Sequence, residues 1–242
     1  MKSHFCLFAL AGAALGQPAA AQSAKDLAEA RILYQQANTG ALARTSRAAI
    51  AQQSTGFLGD GTFEFGALRT YDGRRRPVPG LRYHTALHLL EAQDSISTDS
   101  THLWPVTSLR GFDLGESGNA AMPLRRFRGR LVKEGNAGTR REFVEVLTAI
   151  DAGPLLLAWL YTLGEPTING TRPVVGVLLA GPGTAGAEPL RLLEPTQSSV
   201  LHLFGSRTND LRDFATAQKL DYTRPADIAK MMDHYNRIAV IK

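Results

Sequence analysis

The sequence predicts a mainly β domain with helical ends: an antiparallel β-meander forming a sandwich or half-open barrel, followed by short C-terminal helices. Three observations carry that prediction. From residue 56 onward, short runs alternate apolar and polar side chains at the period of a half-buried strand, with Gly, Pro and Asp turns between them. No run at helical spacing intervenes, which argues against a parallel sheet with crossover helices. Helical spacing is confined to the two ends. The expected division is a leader over residues 1–21, a helical N-terminal arm over 22–55, an antiparallel β domain over 56–195, and C-terminal helices over 196–242 packed on the β domain.

The leader is read from Met1, basic Lys2, the apolar run Phe5 to Leu15 and the small-x-small site Ala19-Ala20-Ala21. The apolar run is about a dozen residues, too short to span a bilayer. Cleavage after Ala21 is expected, with export to the periplasm or cell surface. A lipoprotein is the rival, but Cys6 precedes most of the apolar run instead of closing it. Cys6 is the sole cysteine, so the processed chain would have no thiol for disulfides, metal or nucleophilic catalysis.

About 220 residues remain, enough for one or two domains, and 44% apolar content supports a real core. The formal charge of +5 falls by one with Lys2. A mildly basic exported protein suits anionic surfaces such as lipid headgroups or polysaccharide. No remaining run is long enough for a transmembrane segment.

In the arm, Leu27, Ala30, Leu33 and Tyr34 share one helical face, and Asn38-Thr39-Gly40 breaks the pattern before a second helix over 41–53. Strands are expected around Phe63 and Phe65, from Leu81 through Leu89, from Trp104 to Leu114, and over 124–132, 142–150, 155–163, 174–180 and 190–193. Asp72-Gly73 marks a turn, 94–100 a polar loop, and Asp151-Ala152-Gly153-Pro154 a hairpin with Gly153 at positive φ. Thr208 or Asn209 is placed to cap a helix over 211–220. Thr223 and Pro225 open a last helix whose stripe is Ile228, Met231, Met232 and Tyr235. No internal repeat is evident.

The succession Val78-Pro79-Gly80-Leu81-Arg82-Tyr83, Ser108-Leu109-Arg110-Gly111-Phe112-Asp113-Leu114 and Arg141-Glu142-Phe143-Val144-Glu145-Val146-Leu147, ending in Asp233-His234-Tyr235-Asn236, resembles uncharacterised exported proteins of the Bacteroidota. The resemblance spans residues 60–238. It implies a β-meander before a short helical C-terminus, and it implies no known activity or catalytic residue.

Two constellations bear on chemistry. His84, His88 and Glu91 would share one face of a helix and could ligate zinc there for a metal-dependent hydrolase. On a strand, His84 and His88 stand about 13 Å apart, beyond the reach of one ion, and Thr85 replaces the glutamate of a zinc-protease motif. The strand is the expected state, so the metal reading is the minor one. Arg126, Arg128 and Arg130 line one face of the 124–132 strand, about 7 Å between neighbours. Such a ladder can bind phosphate, sulfate or carboxylate bidentately, or be a solvated face that blunts an edge. No phosphate loop, nucleophile elbow or paired acid/base carboxylates are present, and Trp104 and Trp159 read as core. The expected function is a non-enzymatic binding or structural domain. No cofactor and no nucleic acid are implied; an anionic polymer, an envelope component or another protein would be its partner.

Overall fold

The computed structural model describes residues 19–52, 55–94, 101–133, 135, 138–184 and 188–239. The expected leader lies outside the described residues except for Ala19–Ala21, as does the 94–100 loop except for Asp94.

Two helices open the described chain, α1 (Ala19–Asn38) and α2 (Gly40–Gln52). They break where the sequence requires it. Thr39 folds its N–H and hydroxyl back onto the Gln35 carbonyl at 3.0 and 2.7 Å, and Gly40 takes φ of +69°, which costs glycine little. Ten strands follow: β1 (Glu64–Arg69), β2 (Arg75–His84), β3 (Leu89–Gln93), β4 (Thr101–Pro105), β5 (Gly111–Leu114), β6 (Arg125–Lys133), β7 (Thr139–Val146), β8 (Leu156–Leu163), β9 (Val174–Gly181) and β10 (Leu190–Leu192). Helices α3 (Gln197–His202), α4 (Thr208–Ala217) and α5 (Pro225–Ala239) end it.

The strands form one sheet in the order β10-β9-β8-β7-β6-β5-β1-β2-β3-β4, and β10 also pairs with β6. That extra pairing closes the last five strands into a barrel. One edge of β6 is shared: Arg125–Arg128 pair with β5, while Val132 and Lys133 pair in parallel with β10. Gly111 allows the β5–β6 approach, since a Cβ there would stand 2.1 Å from the Phe127 carbonyl oxygen.

Alternation divides the apolar residues among three layers. Leu156, Ala158 and Leu160 of β8 face the barrel interior with Val144, Val146, Val132, Leu179 and Leu190. Leu157, one residue out of phase, faces outward with Leu178 and Ala180, beneath Leu201, Leu211, Ile228, Met231 and Met232 of the C-terminal helices. The other half of the sheet packs around Leu68, Leu81, Tyr83 and Leu90. Phe112 and Phe127 stack there at 4.5 Å between centroids, with Phe143 edge-on to Phe112 at 5.1 Å.

Several expectations are corrected. The run from Leu81 to Leu89 is not one strand, because residues 85–88 form a turn between β2 and β3. Thr85 donates its N–H and its hydroxyl to the Gly56 carbonyl at 2.8 and 2.9 Å. The run from Trp104 to Leu114 is broken after Pro105 by a 3-10 turn, Val106–Ser108, in which Ser108 Oγ donates to the Pro105 carbonyl at 2.7 Å. The hairpin at 151–154 is a longer connection, residues 147–155, and Gly153 is not among the glycines with positive φ. The C-terminal helices expected over 196–242 begin with α3, opened by the Thr196 side chain accepting from the Ser199 N–H. Trp159 and Trp104 are half-buried, not fully enclosed. No helix among the described residues is long and apolar enough to cross a membrane.

Candidate functional site

Alternation along β6 sends Phe127 into the core and Arg126, Arg128 and Arg130 to the opposite face. The register adds neighbours to that face: Asp113 pairs with Arg126 across β5–β6, and Arg69 of β1 lies between Gly111 and Arg75. Four guanidinium groups, from Arg69, Arg75, Arg126 and Arg128, therefore engage two carboxylates, Asp113 and Asp151, and Arg130 reaches the Asp151 main-chain carbonyl beside them.

Asp113 is the buried centre, its side chain 1% exposed. It accepts from Arg69 Nε at 2.8 Å and from an Arg128 terminal nitrogen at 2.8 Å, with Arg75 Nε 3.7 Å away. Charge-assisted bonds of this kind offset the desolvation of a buried carboxylate.

The expected ladder is present as geometry, but its inner members face protein instead of solvent. Arg126 donates to Asp151 Oδ1 at 2.6 Å and to the Ala149 carbonyl at 2.9 Å, and also meets the Thr148 carbonyl. Arg128 bonds Asp151 as well as Asp113. Arg130 donates to the carbonyls of Asp151 at 2.6 Å and Gly183 at 3.3 Å, while its Nε has no hydrogen-bond partner. Burial holds the Arg130 guanidinium below its ordinary pKa, and Arg128, Arg141 and Arg110 push it the same way against Asp151. Thus Arg126, Arg128 and Arg130 pin the 147–155 connection. The outlying Arg69 and Arg75 keep 35% and 41% of their side chains exposed and form the solvent rim.

His84, His88 and Glu91 are not brought together. His84 closes β2, buried, with its ring edge-on to Phe57 at 4.8 Å. His88 sits at φ +52° in the turn, its Nδ1 2.6 Å from Oε2 of buried Glu142 but out of line for a hydrogen bond. Glu91 accepts from Arg82 Nε at 2.7 Å and from the Thr101 hydroxyl at 2.6 Å. No three His, Cys, Asp or Glu side chains among the described residues converge on a point where a metal ion would sit.

Two clefts flank the 55–61 loop, and both are lined by Phe57 and Asp60. The larger, ≈ 580 Å³, adds Arg47, Phe63, Arg82 and Glu91. The smaller, ≈ 470 Å³, adds Arg125, Tyr161 and Arg172. In the first, Glu91 neutralises Arg82, whose guanidinium lies over the Phe57 and Phe63 rings at 4.6 and 4.4 Å. In the second, Glu145 holds Arg125 at 2.8 Å and accepts from the Tyr161 hydroxyl at 2.5 Å. Burial, then the bond to Glu145, pushes the Tyr161 phenol up to about 12. The surplus of positive charge therefore lies on the open arginine face and not in the clefts.

Sequence reasoning found the arginines and missed their acceptors. Asp113 was legible only as part of an apolar strand, and Asp151 only as a turn former. The sign that Asp113 faces Arg126 is strand register, which no local pattern reports. Comparison with protein-family models, curated proteins and solved structures found no match, and so adds no support to the resemblance to exported Bacteroidota proteins.

Proposed function

We propose that the protein is an exported, non-enzymatic binding domain that engages an anionic polymer or an anionic envelope component through the solvent rim of its arginine face. One observation carries this reading. Four guanidinium groups, from Arg69, Arg75, Arg126 and Arg128, share the carboxylates of Asp113 and Asp151, and Arg130 joins them on the Asp151 main-chain carbonyl, so that face keeps a net positive charge while Asp113 holds the rim arginines in place. Export rests on the leader pattern of residues 1–21. The rival, a metal-dependent hydrolase built on His84, His88 and Glu91, gains nothing from their placement, since each is engaged with a different partner.

Retention on immobilised heparin tests the reading. Exposed ionic contacts are screened, so retention should weaken steeply between about 0.05 and 0.5 M salt. Arg69→Gln with Arg75→Gln removes the rim while Arg128 stays on Asp113. This variant should elute at clearly lower salt with an unchanged circular dichroism spectrum. Elution of the folded variant with the parent would overturn the assignment.

A further inference from the structure

Closure of the barrel removes one end of the sheet, because β10 returns to β6. The other end, β4, has no strand beyond it among the described residues. A second stretch lies where the described pairing with β3 stops at Gly80, and residues 75–79 of β2 have no outer neighbour among the described residues. That stretch carries Pro77 and Pro79. Proline has no N–H to offer an incoming strand, a common way of blunting an edge.

The β4 edge is treated differently. The main-chain groups of Thr101 and Leu103 on its outer side are met by side chains of the helical arm, and a proline, Pro105, stands only at the end of the strand. Asn38 Oδ1 accepts from the Leu103 N–H at 2.8 Å, and Asn38 Nδ2 donates to the Leu103 carbonyl at 2.7 Å. One carboxamide thus makes the paired bonds that a residue of a neighbouring strand would make. Two residues along, on the same edge, Arg47 donates to the Thr101 carbonyl at 2.6 Å and to its hydroxyl at 3.1 Å. Tyr34 lies on Trp104 at 4.2 Å between ring centroids, and its hydroxyl meets His102 Nδ1 at 2.9 Å. The apolar hold of the arm is light: among its described side chains the buried ones are Ala30, Ala37, Ala43 and Ile50, while Leu27, Ile32 and Leu42 face solvent.

From this we infer that β4 is a strand-accepting edge, and that the arm occupies it with side chains that imitate a strand. The ligand class is an extended peptide, added to β4 by main-chain pairing. The groups it displaces define its chemistry: a peptide unit replaces the Asn38 carboxamide, an aromatic side chain replaces Tyr34 on Trp104, and a carboxylate receives the freed Arg47. This site is independent of the arginine face, and its test does not use that face.

The probe is a fluorescein-labelled peptide, Lys-Thr-Val-Tyr-Val-Asp-Thr-Lys, read by polarisation against the full chain. Asn38→Ala, which frees the Leu103 main-chain groups and keeps Arg47 for the peptide's carboxylate, should bind it at least tenfold more tightly than the parent. The same peptide N-methylated at alternate residues should not bind. Amide exchange at Leu103 should quicken in the variant and slow again with peptide. Equal binding by parent and variant, equal binding of the N-methylated peptide, or a Leu103 amide that stays unprotected would each overturn the inference. So would self-association of the variant through β4 that the peptide cannot reverse, which would make a second copy the occupant. Should the Asn38→Ala variant lose its fold, Tyr34→Ala weakens the arm through its contacts with Trp104 and His102 and should raise peptide affinity in the same direction.

Discussion

Asp113 carries a single negative charge in a layer where three arginines reach for it. Neutralising it without changing its shape would leave Arg128, 10% exposed, with only the partly exposed Asp151 as a counter-charge. Breaking one side of a buried ion pair costs about 3–5 kcal/mol. Asp113→Asn should therefore lower unfolding stability by an amount in that range, with urea titration as the measurement; a loss below about 1 kcal/mol would mean the face is solvated enough to dispense with Asp113. At this scale the sequence is half legible. Alternation is a local signal, and it placed Arg126, Arg128 and Arg130 on one side and Phe127 on the other. The acceptors come from β5 and from the 147–155 connection, distant in the chain, and their approach is set by pairing. The same holds for Glu91, whose partners Arg82 and Thr101 sit on the two strands beside it.

At the scale of elements, the 147–155 connection is clamped from two directions. Arg126, Arg128 and Arg130 hold it from the sheet, and α5 holds it from above. There Asp233 Oδ1 accepts from the Ala149 N–H at 2.8 Å, while buried Asn236 accepts from the Leu155 N–H and donates to the Leu155 carbonyl, both at 2.8 Å. Burial raises the Asp233 carboxyl above its ordinary value, although the Ala149 N–H, Arg237 and Arg126 oppose it. A carboxyl raised on folding binds its proton more readily in the folded state. Its stabilising contribution is then full below the unfolded pKa, about 3.9, and is lost as pH rises through the folded value. Asp233→Asn keeps the acceptor without the charge, so the variant's stability should lack the parent's decline just above pH 4. Denaturation midpoints from pH 4 to 7 check this, and parallel profiles would refute it. Where the sequence misjudged elements, side chains overrode periodicity. The pattern 81/83/85/87/89 continues through a turn because Thr85 is captured by Gly56, and the pattern past Trp104 is interrupted by Pro105. Residues 151–154 read locally as a tight hairpin, whereas the order of the long connection comes from arginines and from a helix more than 80 residues away, not from local turn chemistry.

For the whole molecule the deciding strand is β6. Phe127 belongs to the aromatic core beneath β1, β2 and β5, Val132 belongs to the barrel interior, and the outer edge of β6 passes from β5 to β10 between them. Neither half can lose β6 and keep its layer, so the two should unfold together despite separate cores. Each half carries one of the chain's two tryptophans: Trp104 packs against the aromatic core, Trp159 against the helical layer. Trp159→Phe leaves a reporter of the first half and Trp104→Phe a reporter of the second, each replacement keeping an aromatic ring at a half-buried site. In guanidinium titrations the fluorescence of each variant should change in one step, at the same midpoint as its own far-ultraviolet dichroism, which is the signature of a two-state transition. Adding Phe127→Ala to either variant removes a buried ring at the shared strand, at a cost of about 3–5 kcal/mol. Both reporters should then move to lower denaturant by the same amount. If only the Trp104 signal moved while Trp159 kept its midpoint, the barrel with its helices would be an independent unit, and β6 would join two bodies instead of making them one.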